Sequence, residues 1–424
     1  MSETRLVDCA SLPGAREVAE RAAQIAERLP AELAPLARVA FDYRWAWQPG
    51  GEQLFRSLDP LGWEINGHNP VRQLVDLTPH GAAAAAADPS IVGAIERLVG
   101  SLADDDARPE RPIEGLGGPV VFVCAEFGIH SSLPIYSGGL GVLAGDILKE
   151  ASDLALPVVG VGLLYRKGYF QQRLDTTGLQ HEYWVQTVPE RLPAVMVVGE
   201  NGAPLRLTFP FFDREIAFHV WRTEIGRVPL YLLDTELDEN DPVDRWITAR
   251  LYDGNPEIRL GQYALLGIGS VRMLDALGID PGVLHFNEGH PALAALELAT
   301  REIAHGASLD EALAAARERC VFTTHTPVPA GNEGYDPATV AAAYADLPGR
   351  LGIDTGRFLD LCRAQPRTEE WPGMTPLALR LSRPARLRHL LRRLQLFGLP
   401  RPAEVLGHWS LDHWQLVQPL VTWK

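Results

Sequence analysis

A glycine-rich loop between an apolar strand and an amphipathic helix constrains the fold more than any other feature of the sequence. Before the loop, Pro119-Val-Val-Phe-Val-Cys124 is a short, β-branched run of the kind that forms a buried parallel strand. After it, Val142 to Leu154 places Leu143, Ile147, Leu148, Ala151 and Leu154 at helical spacing. Asp146, Lys149 and Glu150 lie between them, with Lys149 spaced to face solvent. Pro157-Val-Val-Gly-Val-Gly-Leu-Leu164 then reads as a second buried strand. Strand, loop (Ser137-Gly-Gly-Leu-Gly141), helix and strand make one βαβ unit. Such a helix turns free N–H groups and the positive end of its dipole towards whatever sits over Gly138, Gly139 and Leu140. Without a Cβ, the backbone there can approach a phosphate or a sugar closely. A Gly-Gly turn is as often only a tight connection, so the residues around it have to decide.

The remaining elements extend the same architecture. Helix is expected over Glu257–Leu277 and Pro291–Ala304, and strands over Val283–Phe286 and Cys320–Thr323, the pattern of a doubly wound α/β sheet. Val195–Val198 and Leu205–Phe209 flank Gly199-Glu-Asn-Gly202 as a hairpin. Ala217–Trp221 and Val228–Leu233 continue it as an antiparallel insert. We expect an N-terminal arm over 1–30, with a loosely attached helix at Ala15–Leu29, and a small helical domain over 31–115. A linker over 101–118 leads to the α/β domain at 119–383, and an atypical basic tail follows at 384–424. In the helical domain Trp45, Trp47 and Trp63 are either core or a sugar-stacking surface. Ala82–Ala87 is a helix start or a tolerated insert.

Composition sets the class. At 424 residues, with 46% hydrophobic and 22% charged residues, the chain is a soluble globular protein of about two domains. It has no apolar run long enough for a membrane span. The charged N-terminus lacks a signal core, and Cys9, Cys124, Cys320 and Cys362 are widely spaced without a CxxC pair, so a reducing cytoplasm is expected. A net charge of −15 argues against nucleic acid as a partner. From Arg380 to Lys424 the balance reverses, with eight Arg/Lys against Glu404 and Asp412.

Three strand-end loops carry polar groups with no evident structural purpose: the glycine loop, Asn287-Glu-Gly-His290, and Thr323-Thr-His-Thr326 with Pro327-Val-Pro329 and Gly331-Asn-Glu333. No set of residues has metal-ligand spacing. Ala125-Glu-Phe-Gly-Ile129, Leu133 to Asp146 and Gly160 to Gln171 closely resemble the α-glucan (glycogen/maltodextrin) phosphorylases, in particular the bacterial branch with an extra N-terminal domain. The resemblance covers residues 30 to 383. It implies the first Rossmann-like domain of a GT-B glycosyltransferase fold, acting on α-1,4-glucan and inorganic phosphate to give glucose 1-phosphate. By that resemblance His325 is the catalytic-site histidine that holds the glucosyl 6-hydroxyl. Gly138, Gly139 and Leu140 meet phosphate and the glucosyl unit, and Asn287, Glu288 and His290 line the substrate channel. Glu126 and Tyr136 lie on the cofactor side, and Arg259 is a phosphate or interface contact.

The resemblance also implies pyridoxal 5′-phosphate, which needs a lysine to anchor it. This chain has only Lys149, Lys167 and Lys424, none in the family's lysine context. The expectation is therefore a chain inactive alone, with a second polypeptide able to supply the missing domain. Pro384–Lys424 departs from the family, as a shifted frame or truncation would produce; an amphipathic tail built on Leu390, Leu391, Leu394 and Leu396 with Arg386, Arg388, Arg392 and Arg393 is the alternative. Two rival readings stand beside the phosphorylase. One is a glycogen or starch synthase, whose loop usually has a lysine where this chain has Tyr136-Ser137. The other is a non-catalytic glucan-binding protein.

Overall fold

A computed structural model describes residues 8–113, 115–326 and 332–383. The tail expected at 384–424, Lys424 included, and Pro327–Gly331 lie outside the described residues. The chain divides into two compact units, one formed by residues up to Phe209 with Glu215–Val283, the other by Pro210–Arg214 with the chain from Leu284.

The first unit begins with helices α1 (Ala15–Ala26), α2 (Pro35–Val39), α3 (Gly51–Leu58), α4 (Pro60–Ile65), α5 (Pro70–Asp76), α6 (Pro79–Ala86) and α7 (Pro89–Asp106). A single device starts α4 to α7. Asp59, Asn69, Thr78 and Asp88 each accept a backbone N–H of the first turn through the side chain, and a proline follows at the first helical position. Proline has no N–H to leave unpaired there and its φ is already helical. The alanine run is thus helix interior, and the expected linker is helical as far as Asp106. Trp45 and Trp63 are 0% exposed, edge-to-face 5.9 Å apart, with Phe55 and His130 against Trp45. Of the two readings of these tryptophans, core is the one found; Trp47 is half-buried, its indole N–H donating to Asp153.

The arm is firmly held, contrary to expectation. Arg222, buried in a strand, donates to the carbonyls of Ala10 (2.9 Å), Leu12 and Pro13 (3.2 Å), and the Tyr231 hydroxyl also donates to Pro13. A buried guanidinium needs that many acceptors, and here the arm's backbone provides them.

The sheet contains β1 (Val120–Cys124), β2 (Val158–Leu163), β5 (Val195–Met196), β6 (Arg206–Phe211), β7 (Arg214–Ile225) and β8 (Val228–Asp234); α8 (Gly139–Asp153) connects β1 to β2. The order is β1-β2-β8-β7-β5, with β6 beside β7. β1, β2 and β8 are parallel, whereas β7 runs antiparallel to both β8 and β5. β8 therefore belongs to the parallel sheet, although the sequence suggested an insert. The Gly199–Gly202 turn forms, but beyond it the two strands part to pair with β7. β3 (Gln171–Leu174) and β4 (Gln180–Tyr183) make a separate exposed hairpin that the sequence reading missed. After the short α9 (Pro242–Arg245), the expected single helix is α10 (Pro256–Ala264), a π-helical stretch at Leu265–Gly269, and α11 (Ser270–Ala276).

The second unit pairs β9 (Val283–Asn287) in parallel with β10 (Cys320–Thr323), joined through α12 (Leu293–Ala304) and α13 (Leu309–Arg319). The helices α14 (Pro337–Ala343), α15 (Asp346–Leu351), α16 (Thr355–Leu361) and α17 (Met374–Arg380) follow, with α15 and α17 packed against α12. The result is a mixed α/β chain.

Candidate active site

In the first unit the site begins where β1 ends. Glu126, 2% exposed, turns its carboxylate under the glycine loop: Oε2 accepts from Ser137 N at 2.7 Å and Gly138 N at 3.3 Å. Its other oxygen accepts from the Tyr252 hydroxyl at 2.5 Å. Burial raises the Tyr252 pKa and the neighbouring carboxylate raises it further, so the phenol keeps its proton and remains the donor. The loop is thus braced from behind. Tyr136 closes the same corner, since a Cβ on Gly141 would stand 2.6 Å from Tyr136 Cβ and 2.7 Å from Glu126 Oε2. In front, the loop is open: among the described residues, a Cβ built on Gly138 or Gly139 meets nothing within 4 Å. Gly139 and Leu140 are the first residues of α8, where amides have no intrahelical acceptor and the dipole is positive.

The helix sits this close because its buried face is made of small residues. Gly141, Ala144, Gly145, Leu148, Ala151 and Ser152 are buried, while Leu143, expected inside, is 37% exposed; Leu154 is exposed as well. Gly128 N donates to Gly141 O at 2.6 Å, and a Cβ on Gly145 would lie 2.3 Å from Gly128 O. Side chains larger than glycine would hold the helix mouth away from Glu126.

In the second unit β9 and β10 deliver Asn287 and Thr323 side by side. Glu288, 3% exposed and in the left-handed region at φ 67°, aims its carboxylate at the loop after β10. It accepts from His325 N (2.6 Å), Thr326 N (2.9 Å), Thr324 Oγ1 (3.0 Å) and Thr326 Oγ1 (3.1 Å). Four donors on one carboxylate fix the loop's path. His325 itself is exposed, and its Nε2 donates to the buried Asn287 Oδ1 at 2.8 Å. A neutral ring so tied presents its lone pair at Nδ1, an acceptor for a hydroxyl. His290 is half-buried at the turn into α12. Below the loop His285 bonds Thr323 Oγ1 at 2.8 Å, and burial pushes its pKa down to about 4.

Thr324 and Thr326 belong to a loop the sequence marked without giving either a role, whereas Tyr252 was not singled out; the left-handed backbone at Tyr252 (φ 55°) and Glu288 is where such strain is stored. Arg259 is buried between the rings of Tyr252 (5.2 Å) and Tyr263 (5.1 Å). The described lysines do not fit an anchor for pyridoxal phosphate at this loop. Lys149 lies about 15 Å along α8 from Gly139 at the helical rise per residue. It is only partly exposed, against the solvent-facing expectation, and sits over Trp47 at 5.9 Å and 3.7 Å from Asp146. Lys167 lies over Trp246 at 4.3 Å. Among the described residues no group of His, Cys, Asp and Glu could hold a metal ion.

A family described as a protein of unknown function (DUF3417) matches residues 29–133. Over 364 residues the chain is 38% identical to maltodextrin phosphorylase of Thermococcus litoralis, covering 85% of this chain and 43% of the relative. It is 39% identical over 335 residues to glycogen phosphorylase of Mycobacterium tuberculosis, covering 75% and 39%. With the Aquifex aeolicus glycogen phosphorylase the identity is 34% over 350 residues, covering 82% and 50%. The chain is a homologue of the glycogen and maltodextrin phosphorylases. It spans half or less of the length of these phosphorylase relatives. The loops just described, with Glu126 and Glu288 beneath them, lie within a chain whose relation to the phosphorylases extends over most of its length.

Proposed function

We propose that the chain is the glucan- and phosphate-contacting part of an α-glucan phosphorylase, with its sheet as the first Rossmann-like domain of a GT-B fold. The proposed division is an arm over 1–30, a helical domain over 31–115 with the linker running on to 118, and the Rossmann-like domain over 119–383. The observation that carries the reading is the open glycine loop at the mouth of α8, braced from behind by Glu126 and, among the described residues, with nothing within 4 Å of a Cβ at Gly138 or Gly139. Its free amides and dipole suit an oxyanion or the hydroxyls of a hexose. In the second unit, His325 Nδ1 accepts a sugar hydroxyl, and Asn287 and Glu288 hold that ring and its loop in position. We assign His290 to the lining of the substrate channel, and Tyr136 with Glu126 to the wall of the loop.

In this reading the reaction is phosphorolysis of an α-1,4-glucan to glucose 1-phosphate. Pyridoxal 5′-phosphate supplies proton transfer through its own phosphate when bound. Neither Lys149 nor Lys167 is placed to anchor it, so no step is assigned through it, and a second polypeptide bearing the lysine would complete the enzyme. The test is an assay of the full chain with maltoheptaose, inorganic phosphate and added pyridoxal phosphate, alongside calorimetric titration of maltoheptaose. Saturable sugar binding that His325→Ala weakens, without glucose 1-phosphate release, supports the reading. Turnover by the isolated chain contradicts the lysine argument, and absence of sugar binding contradicts the assignment itself.

A further inference from the structure

One short segment of the helical domain, residues 42–47, reaches both ends of the helix that carries the glycine loop. Towards the loop, the Tyr43 hydroxyl lies 3.1 Å from Ser132 Oγ, which lies 3.0 Å from His130 Nδ1; Ser132 N also donates to that nitrogen at 3.2 Å. With its pKa lowered to about 4 the ring is neutral, and its Nδ1 lone pair accepts the Ser132 hydroxyl, which leaves Tyr43 to donate to Ser132 Oγ. Burial raises the Tyr43 pKa, so the phenol keeps the proton it donates. His130 and Ser132 lie in the chain between Glu126 and the glycine loop. Their stretch is tied inwards, Leu133 N donating to His130 O, Phe127 N to Ile135 O and Gly128 N to Gly141 O of α8. At the far end of α8, Trp47 Nε1 donates to Asp153 Oδ1 at 3.2 Å, and Lys149 Nζ stands 5.9 Å from the centre of the same indole. Arg108, just past α7, donates to Asp153 O at 2.7 Å, a cation on a carbonyl at the negative end of the helix.

The segment is itself seated on the sheet. Asp42 and Arg44, both buried, pair with each other, Asp42 forms a β-bridge with Glu224 near the end of β7, and Arg38 of α2 adds an ion pair to Glu224 at 2.5 Å. α8 needs such an outside hold. Its contact with Gly128 is glycine against backbone, which brings the helix close but offers few side chains to fix it along its own axis. A slide of one residue's rise is about 1.5 Å. Ser137 N and Gly138 N, 2.7 Å and 3.3 Å from Glu126 Oε2, would then pass out of hydrogen-bond range.

We propose that Tyr43 and Trp47 are positioning residues for the glycine loop: the helical domain clasps α8 at both ends and holds its mouth where Glu126 meets the loop amides. Neither residue touches a ligand; Tyr43 acts through Ser132 and His130, and Trp47 through Asp153. The clasp stands on geometry alone, and its effect on binding rests on the function proposed above.

Hydrogen–deuterium exchange of the full chain tests the clasp with no ligand present. The amides to follow are Gly128, Ser137, Gly138 and Val142, each hydrogen-bonded at the loop or the first turn of α8. Tyr43→Phe removes one hydroxyl and leaves the ring. It and Trp47→Phe should each speed exchange at these amides about three- to tenfold, the effect of one net hydrogen bond on a local opening. Ser132→Ala breaks the Tyr43 bond from the other side, so the double variant with Tyr43→Phe should exchange no faster than the faster single one. Arg56→Gln, which removes an exposed ion pair with Glu64 in the same domain, should change nothing at these positions. Maltoheptaose affinity in phosphate buffer should fall in Tyr43→Phe by a factor similar to the rise in exchange. Unaltered exchange at these amides in both Tyr43→Phe and Trp47→Phe overturns the proposal, as does an equal rise in Arg56→Gln. Faster exchange with undiminished maltoheptaose affinity overturns the positioning role. A wild type that binds no maltoheptaose contradicts the function proposed above, and the exchange rates then decide the clasp by themselves.

Discussion

Two buried glutamates do the same work in the two halves of the chain. Glu126 holds the amides before α8 and Glu288 those around His325. Replacing Glu288 by Gln exchanges one acceptor oxygen for an amide N–H donor that faces other donors, leaving at least one N–H or hydroxyl unpaired, a cost of about 1–3 kcal/mol. Thermal melting should show that loss, and maltoheptaose affinity should fall with it because His325 no longer has a fixed backbone. An unchanged melting temperature would mean the four donors are satisfied elsewhere. A second residue-scale effect concerns pH. His130 is half-buried against Trp45, and desolvation there, followed by the charges of His68 and Lys149, lowers its pKa from 6.5 to about 4. The folded chain keeps the ring neutral while the unfolded chain protonates it, so stability is full above pH 6.5 and declines as the pH falls towards 4. His285 acts in the same direction. Melting curves across that range should be flatter for His130→Gln than for the wild type; parallel curves would show that His130 does not contribute.

At the scale of elements, α8 is the part on which the rest depends. Gly145→Ala would drive a methyl into Gly128 O, 2.3 Å from the ideal Cβ. The expected loss of stability is about 1–3 kcal/mol, read by chemical denaturation; a neutral result would show that the helix can shift without cost. The sequence made β1, α8, β2, β9, α12 and β10 legible because buried strands and an amphipathic helix write their period into the chain. It misled about which face of α8 is buried. Val142 and Leu143 look like core by hydropathy, but the contact with Gly128 admits only small residues, so the large ones remain outside. The cap–proline pairs at Asp59, Asn69, Thr78 and Asp88 were a readable signal for α4 to α7 that hydrophobic period alone does not catch. The hold on the arm was not readable, because Arg222 lies some 210 residues from the carbonyls it binds. The Tyr252–Glu126 bond, at a separation of 126, was hidden for the same reason.

For the whole molecule, kinship with the phosphorylases covers most of this chain but half or less of theirs. In the function proposed above, binding belongs to this chain, and the positions of Lys149 and Lys167 leave the cofactor's lysine to a second polypeptide. The central claim is that a ligand occupies the open space in front of Gly139. Among the described residues, the Cβ of a valine at that position meets nothing within 4 Å beyond its chain neighbours and its own helix backbone, so it should fill the space without unfolding the chain. Calorimetric titration of maltoheptaose in phosphate buffer against the wild type and Gly139→Val tests this most directly. The account predicts saturable binding by the wild type and none by a variant with an unchanged melting temperature. Equal binding by the two would place the glucan elsewhere and contradict it.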